Sequence, residues 1–148
     1  MQNSARQRVS IGQVVGRLAK QLEQVFATVD LSFSQYRMLS WLAEGPTGAA
    51  TLAGNMAISR PSVTGLVDGL VARGLVTRES DTGDRRRIAL ALTADGAKLL
   101  ETVETMLDER FTAILGSVSA DDAKVAIRGL TVWREALDAD REACRAES

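Results

Sequence analysis

The sequence predicts a mainly α-helical fold carrying one small β-hairpin, and three observations lead to it. Apolar residues recur at helical spacing through several segments, most of them opened by a serine or threonine able to cap a helix. Two short strand candidates, residues 75–79 and 88–92, flank a polar stretch that contains a glycine, as a hairpin requires. The chain has 148 residues, 45% hydrophobic and 25% charged, which is one ordinary globular domain able to bury a core without a disulfide or metal.

The elements follow in order. Ile11, Val15, Leu18, Leu22, Val25 and Val29 alternate spacings of four and three, an a/d seam that wants a partner helix. Ser32 and Gln35 form a capping box, Leu31 and Tyr36 a hydrophobic staple, and the helix they open runs to Glu44 before Gly45-Pro46. Within it Tyr36, Leu39 and Ala43 share one face while Met38 and Trp41 lie on another, so both sides are expected to pack. Thr47 or Gly48 opens a short helix around Leu52 and Ala53, and a tight turn follows through Met56 to Ile58. Ser59 caps the next helix, with Pro61 in its first turn, Val63, Leu66, Val67, Leu70 and Val71 as its buried stripe, and Gly74 just past its end. A short helix, a turn and a capped second helix read as a helix-turn-helix. Beyond the hairpin, Thr93 caps a helix through Leu99, Leu100, Val103, Met106, Leu107, Phe111 and Ile114 up to Gly116. Ser119 and Asp122 open a last one carrying Ala126, Leu130, Trp133 and Leu137.

Composition removes several function classes. There is no histidine, which excludes Ser-His-Asp or Cys-His catalysis and histidine-ligated zinc. No phosphate-cradling glycine loop or nucleophile elbow occurs, so an enzyme is not expected, and no cofactor or metal is. Cys144 is the single cysteine and reads as a plain free thiol. With no charged-then-apolar leader and no apolar run longer than Ile88–Leu92, a cytoplasmic protein without a membrane partner is expected.

The net charge of −1 is a cancellation. Residues 1–31 hold four basic and two acidic side chains, residues 32–93 seven and five, and residues 94–148 seven and twelve. The front of the chain is therefore basic and the back acidic, which favours an oriented approach to a polyanion. Only Lys20, Lys98 and Lys124 are lysine, and arginine is the better residue for phosphate and base contacts. The sharpest signal is Asp84-Arg85-Arg86-Arg87 in the hairpin turn. Its guanidinium groups can reach phosphates or a narrow minor groove, with Asp84 orienting one of them; the bland reading is a solvated loop tip.

The chain resembles the MarR (multiple antibiotic resistance regulator) family of bacterial transcription regulators. The resemblance rests on the order and spacing of Leu52-Ala53, Ile58-Ser59-Arg60-Pro61-Ser62-Val63-Thr64, Leu66-Val67-Asp68, Arg73-Gly74-Leu75-Val76, Asp84-Arg85-Arg86, Leu92-Thr93 and Gly96. It implies a winged helix-turn-helix lobe over residues 31–93 and a dimerisation lobe built from helices in residues 1–30 and 94–148. By this resemblance the helix from Ser59 lies in the major groove of double-stranded DNA, with Ser59, Arg60, Ser62 and Thr64 contacting phosphates and bases. Pro61 sits against the backbone or a thymine methyl, and Arg86 enters the minor groove with Asp84 beside it. Arg78 and Arg85 contact phosphate or, for one of them, form a structural ion pair; Arg87 completes the wing. Arg73 is either a phosphate contact or a solvated helix end.

This sequence departs from the family at Gly65 and Gly69, where a basic or long polar residue is usual, and both are expected on the outward face of the helix. Ala57 replaces the common inter-helix glycine. The resemblance also implies a small aromatic or phenolic effector, with Phe26, Met38 and Trp41 as candidate lining; the alternative is that these are ordinary packing residues. The function expected is a ligand-released homodimeric repressor on a pseudo-palindromic operator. The competing expectation is a winged-helix module that binds protein instead of DNA.

Overall fold

The computed structural model describes residues 10–80, 83 and 87–146. The elements are α1 (Ile11–Thr28), α2 (Phe33–Ala43), β1 (Thr47–Gly48), α3 (Ala49–Met56), α4 (Arg60–Ala72), β2 (Val76–Ser80), β3 (Ile88–Leu92), α5 (Ala94–Leu115) and α6 (Ala120–Ala146). The mainly helical fold with a small antiparallel sheet is the predicted class, with one addition. The sheet has three strands in the order β1-β3-β2, both pairings antiparallel. Thr47 and Gly48, read from sequence only as the opening of a helix, first pair with Leu90 and Ala89. Gly48 does both jobs because its extended backbone (φ −77°, ψ 155°) serves a strand end and an N-cap alike. Two residues are too few to leave an alternating pattern.

Local signals set most of the helix ends. Ser32 Oγ accepts from the Gln35 amide at 3.1 Å while Gln35 Oε1 accepts from the Ser32 amide at 2.9 Å, a complete capping box. Ser10 caps α1 through the Gln13 amide, a cap the apolar seam does not reveal. At α3 the chain turns on Ala57 in the left-handed region (φ 53°), where a glycine would be easier, and the Ile58 amide closes back on the Ala53 carbonyl at 3.1 Å. α4 ends on Gly74 (φ 71°), whose neighbour Leu75 donates to the Leu70 carbonyl at 2.9 Å. That closure takes Leu75 out of the hairpin, so β2 begins at Val76, one residue later than the strand candidate at 75–79. Ser119 Oγ accepts from the Asp122 amide at 3.1 Å and donates to Asp122 Oδ2 at 2.7 Å, so this box closes between side chains.

The chain divides into two compact units, residues 1–107 and 108–148. The core of the first is built from Phe26 of α1, Met38 and Leu39 of α2, Leu52 and Met56 of α3, Val63 and Leu70 of α4, Val76 of β2 and Val103 of α5. Of the α1 seam, Ile11 and Val15 are exposed, Leu18, Leu22 and Val29 half-buried and Val25 buried, while Phe26 beside the seam is closed into the core. In the second unit α6 exposes Val125, Leu130, Trp133 and Leu137. No helix among the described residues is long and apolar enough to cross a membrane.

Candidate nucleic-acid interface

α4 is amphipathic in the way a groove-binding helix needs. Val63, Val67 and Leu70 are buried and Leu66 and Val71 half-buried, so the opposite side faces out. Its N-terminus is built by Ser59, whose Oγ accepts from the Ser62 amide at 3.2 Å and lies 2.8 Å from Ser62 Oγ. Pro61 sits in the first turn, where an amide hydrogen would find no helical partner. Arg60, Pro61, Ser62 and Thr64 are all exposed, and the Thr64 hydroxyl donates back to the Arg60 carbonyl at 3.2 Å. A helix N-terminus with exposed hydroxyls and a guanidinium offers donors and a favourable dipole to an anion.

The two glycines of α4 part company. Gly65 is exposed, and a Cβ there would meet nothing within 4 Å. Gly69 is half-buried, its would-be Cβ 3.7 Å from Gln35 Nε2, so it faces the start of α2 and not the open side. The expectation that both point outward holds for Gly65 alone. The reason is that α2 crowds the flank of α4, which helical periodicity within α4 cannot show.

The arginines have different employments. Arg78 in β2 forms an ion pair with Asp68 of α4, the structural alternative foreseen for one of the hairpin arginines. That pair also neutralises the carboxylate on the outward side of α4, which would otherwise repel phosphate. Arg73 is exposed, yet it is not a bare helix end, because its guanidinium is bonded to the chain. Nη1 donates to the Asp30 carbonyl at 2.6 Å and Nη2 to the Val29 carbonyl at 3.2 Å. Arg37 of α2, which the sequence offered no reason to single out, donates Nη2 to the Met56 carbonyl at 3.1 Å and so holds the end of α3. Arg87 is exposed. Asp84, Arg85 and Arg86 lie outside the described residues.

The candidate effector residues are not brought to one surface. Phe26 and Met38 are closed into the core, at 1% and 0% exposure. Trp41 is half-buried and lines a shallow groove of about 200 Å³ with Tyr36, Arg37, Ser40 and Glu44. Tyr36 stacks on Phe26 with ring centroids 4.7 Å apart and donates its hydroxyl to Glu104 Oε1 of α5 at 2.6 Å. Burial, then the hydrogen bond and charge of Glu104, push the phenol up to about 12, Ser40 acting weakly the other way. Because the folded value lies above the ordinary value of 10, the stabilisation is complete below pH 10 and is lost as pH rises towards 12. Tyr36→Phe is expected to lose about 1 kcal/mol of stability at neutral pH. It should also lose this alkaline component, as urea unfolding at a series of pH values from neutral to alkaline would show. Among the described residues no group of three or more His, Cys, Asp or Glu could hold a metal ion, and Cys144 is exposed on α6.

Comparison with known proteins supplies a context for this geometry. The MarR family model matches residues 29–87, the stretch from the end of α1 through the hairpin turn. The HTH-type transcriptional regulator FarR of Neisseria gonorrhoeae is 36% identical over 109 residues, 72% of this chain and 75% of that protein. The HTH-type transcriptional repressor NicR of Pseudomonas putida is 34% identical over 99 residues, 67% of this chain and 61% of that protein. In fold, the chain is similar to a MarR family protein from Bacillus stearothermophilus (TM-score 0.76, 22% identity, covering 86% of this chain and 90% of that one). It is similar as well to a point mutant of S. aureus MepR solved bound to an oligodeoxyribonucleotide (TM-score 0.65, 22% identity, 84% and 93%).

Proposed function

The chain belongs to the MarR family of transcriptional regulators, and from that premise we propose that it is a homodimeric, ligand-released repressor acting on a pseudo-palindromic operator in the cytoplasm. The observation that carries the reading is α4, a Ser59-capped helix packed by one face and open on the other, with Arg60, Ser62 and Thr64 exposed at its N-terminus. In this reading Ser59, Arg60, Pro61, Ser62 and Thr64 enter the major groove. Asp84, Arg85, Arg86 and Arg87 form the wing, Arg86 in the minor groove. Arg78 acts through Asp68, holding β2 to α4, and its charge is shared with that carboxylate.

A dimer gives a use to two apolar faces. α1 exposes Ile11 and Val15 at 61% and 56%, and α6 exposes Leu130, Trp133 and Leu137 at 58%, 55% and 63%. Helices this apolar on the outside call for a cover, and terminal helices from a second copy supply one. In this reading the effector is a small aromatic or phenolic molecule met by Trp41, a choice supported by its half-buried position in a groove.

Selection of bound duplexes from a random pool tests the proposal. Enriched sequences are expected to be two-fold symmetric, with half-site centres about one helical turn apart. Affinity should fall steeply with salt, by about 0.9 in the logarithmic slope for each phosphate neutralised. Failure to enrich any duplex, even at low salt, would sink the reading in favour of a protein-binding module. Aromatic and phenolic acids titrated into the enriched complex then show whether release is ligand-driven.

A further inference from the structure

α1 and α4 end in the same backbone motif, and the two ends are bonded to one another. In α1 the Leu31 amide closes on the Phe26 carbonyl at 3.0 Å around Asp30 (φ 51°); in α4 the Leu75 amide closes on the Leu70 carbonyl at 2.9 Å around Gly74 (φ 71°). Arg73 is the C-cap of α4, and its guanidinium donates to the carbonyls of Val29, the C-cap of α1, and of Asp30 just beyond it. The contact spans more than forty positions of sequence. It places a cation at the negative end of the α1 dipole.

We propose that Arg73 is a positioning residue for DNA recognition, fixing α4 against the end of α1 and thereby the separation of the two recognition helices in the dimer. The inference rests on the DNA-binding reading above. A planar guanidinium with two donors on two carbonyls sets distance and angle together, which a flexible ammonium cannot do. Both bonds are exposed to solvent, so they add little to overall stability. What they change is where α4 sits. If α1 carries the dimer contact, a shift at its end reaches α4 through this clamp, and half-site spacing is the property it controls.

The test uses the full chain and a labelled duplex enriched by selection, with versions lengthened or shortened by one base pair between half-sites. Arg73→Ala is expected to bind the enriched duplex about tenfold more weakly, at the wild-type salt slope and with a melting temperature within a few degrees of wild type. It should also lose most of the wild-type discrimination among the three spacings. Arg73→Lys, which keeps the charge, should behave like Arg73→Ala. A salt slope lower by about 0.9 per protomer would make Arg73 a phosphate contact, and wild-type behaviour of Arg73→Lys would make it a point charge; either overturns the proposal. So does unchanged spacing discrimination in both variants. Absence of any enriched duplex is a different outcome, removing the DNA-binding reading and this inference with it.

Discussion

Gly96→Ala is expected to lose about 3 kcal/mol or more of stability, although glycine-to-alanine within a helix ordinarily gains about 0.5–1 kcal/mol. Gly96 is buried in the first turn of α5, and a Cβ there would stand 2.1 Å from the Leu75 carbonyl oxygen and 3.1 Å from Leu92 Cδ2. The obstacle is backbone, and that backbone is tied down on every side. Leu75 donates to the Leu70 carbonyl at 2.9 Å and accepts from the Thr93 amide at 3.1 Å. Thr93 Oγ1 in turn donates to the Gly74 carbonyl at 2.6 Å and accepts from the Gly96 amide at 3.0 Å, capping α5 as it does so. A methyl group must break this knot between the end of α4, the start of β2 and the start of α5. Gly65→Ala is the matched control, since its Cβ meets nothing within 4 Å and the usual gain should appear. Urea unfolding of both variants reads the two signs, and a Gly96→Ala protein as stable as wild type would refute the packing argument.

The contrast between those glycines shows where the sequence was sufficient. Ser32 with Gln35, Ser59 with Ser62, Thr93 with Gly96 and Ser119 with Asp122 all act three residues away, so a reader of the sequence has both partners in view. The buried stripe of α4 and the outward placing of Gly65 followed from the period of its apolar residues in the same way, whereas the turn of Gly69 towards α2 did not. What stayed hidden depends on partners far along the chain. β1 exists because Thr47 meets Leu90, Arg73 reaches Asp30 across 43 positions, and Tyr36 reaches Glu104 across 68. None of these pairs leaves a periodic or spaced signature. The arginines illustrate it best, since their number and sequence neighbourhood say nothing about which carbonyl or carboxylate each will meet. Arg37, Arg73 and Arg78 bind the protein's own groups, and the basic surplus of residues 32–93 available to DNA is correspondingly smaller.

In the proposed reading, that reduction puts the weight of DNA binding on the wing and the start of α4, and makes Arg86→Ala the substitution with the largest expected effect on affinity. Strands β2 and β3 stay paired up to the last residue of β2 and the first of β3, Ser80 opposite Ile88, so the connection carrying Arg85, Arg86 and Arg87 begins and ends at one end of the sheet. One arginine reading the DNA is worth about 1–3 kcal/mol, and a symmetric dimer brings two. Arg86→Ala should therefore weaken binding to the enriched duplex by about a hundredfold or more, while dimer mass and melting temperature stay at wild-type values. An arginine in the minor groove responds to groove width, which A·T tracts narrow. Exchanging A·T for G·C pairs in the flanks should thus weaken the wild type but leave Arg86→Ala nearly indifferent. A simple phosphate contact predicts the reverse pattern, with a shallower salt slope and equal sensitivity of both proteins to the flanks. Unchanged affinity of Arg86→Ala would remove the wing from the interface and leave α4 to account for recognition alone, with Arg60 as the nearest candidate for its charge.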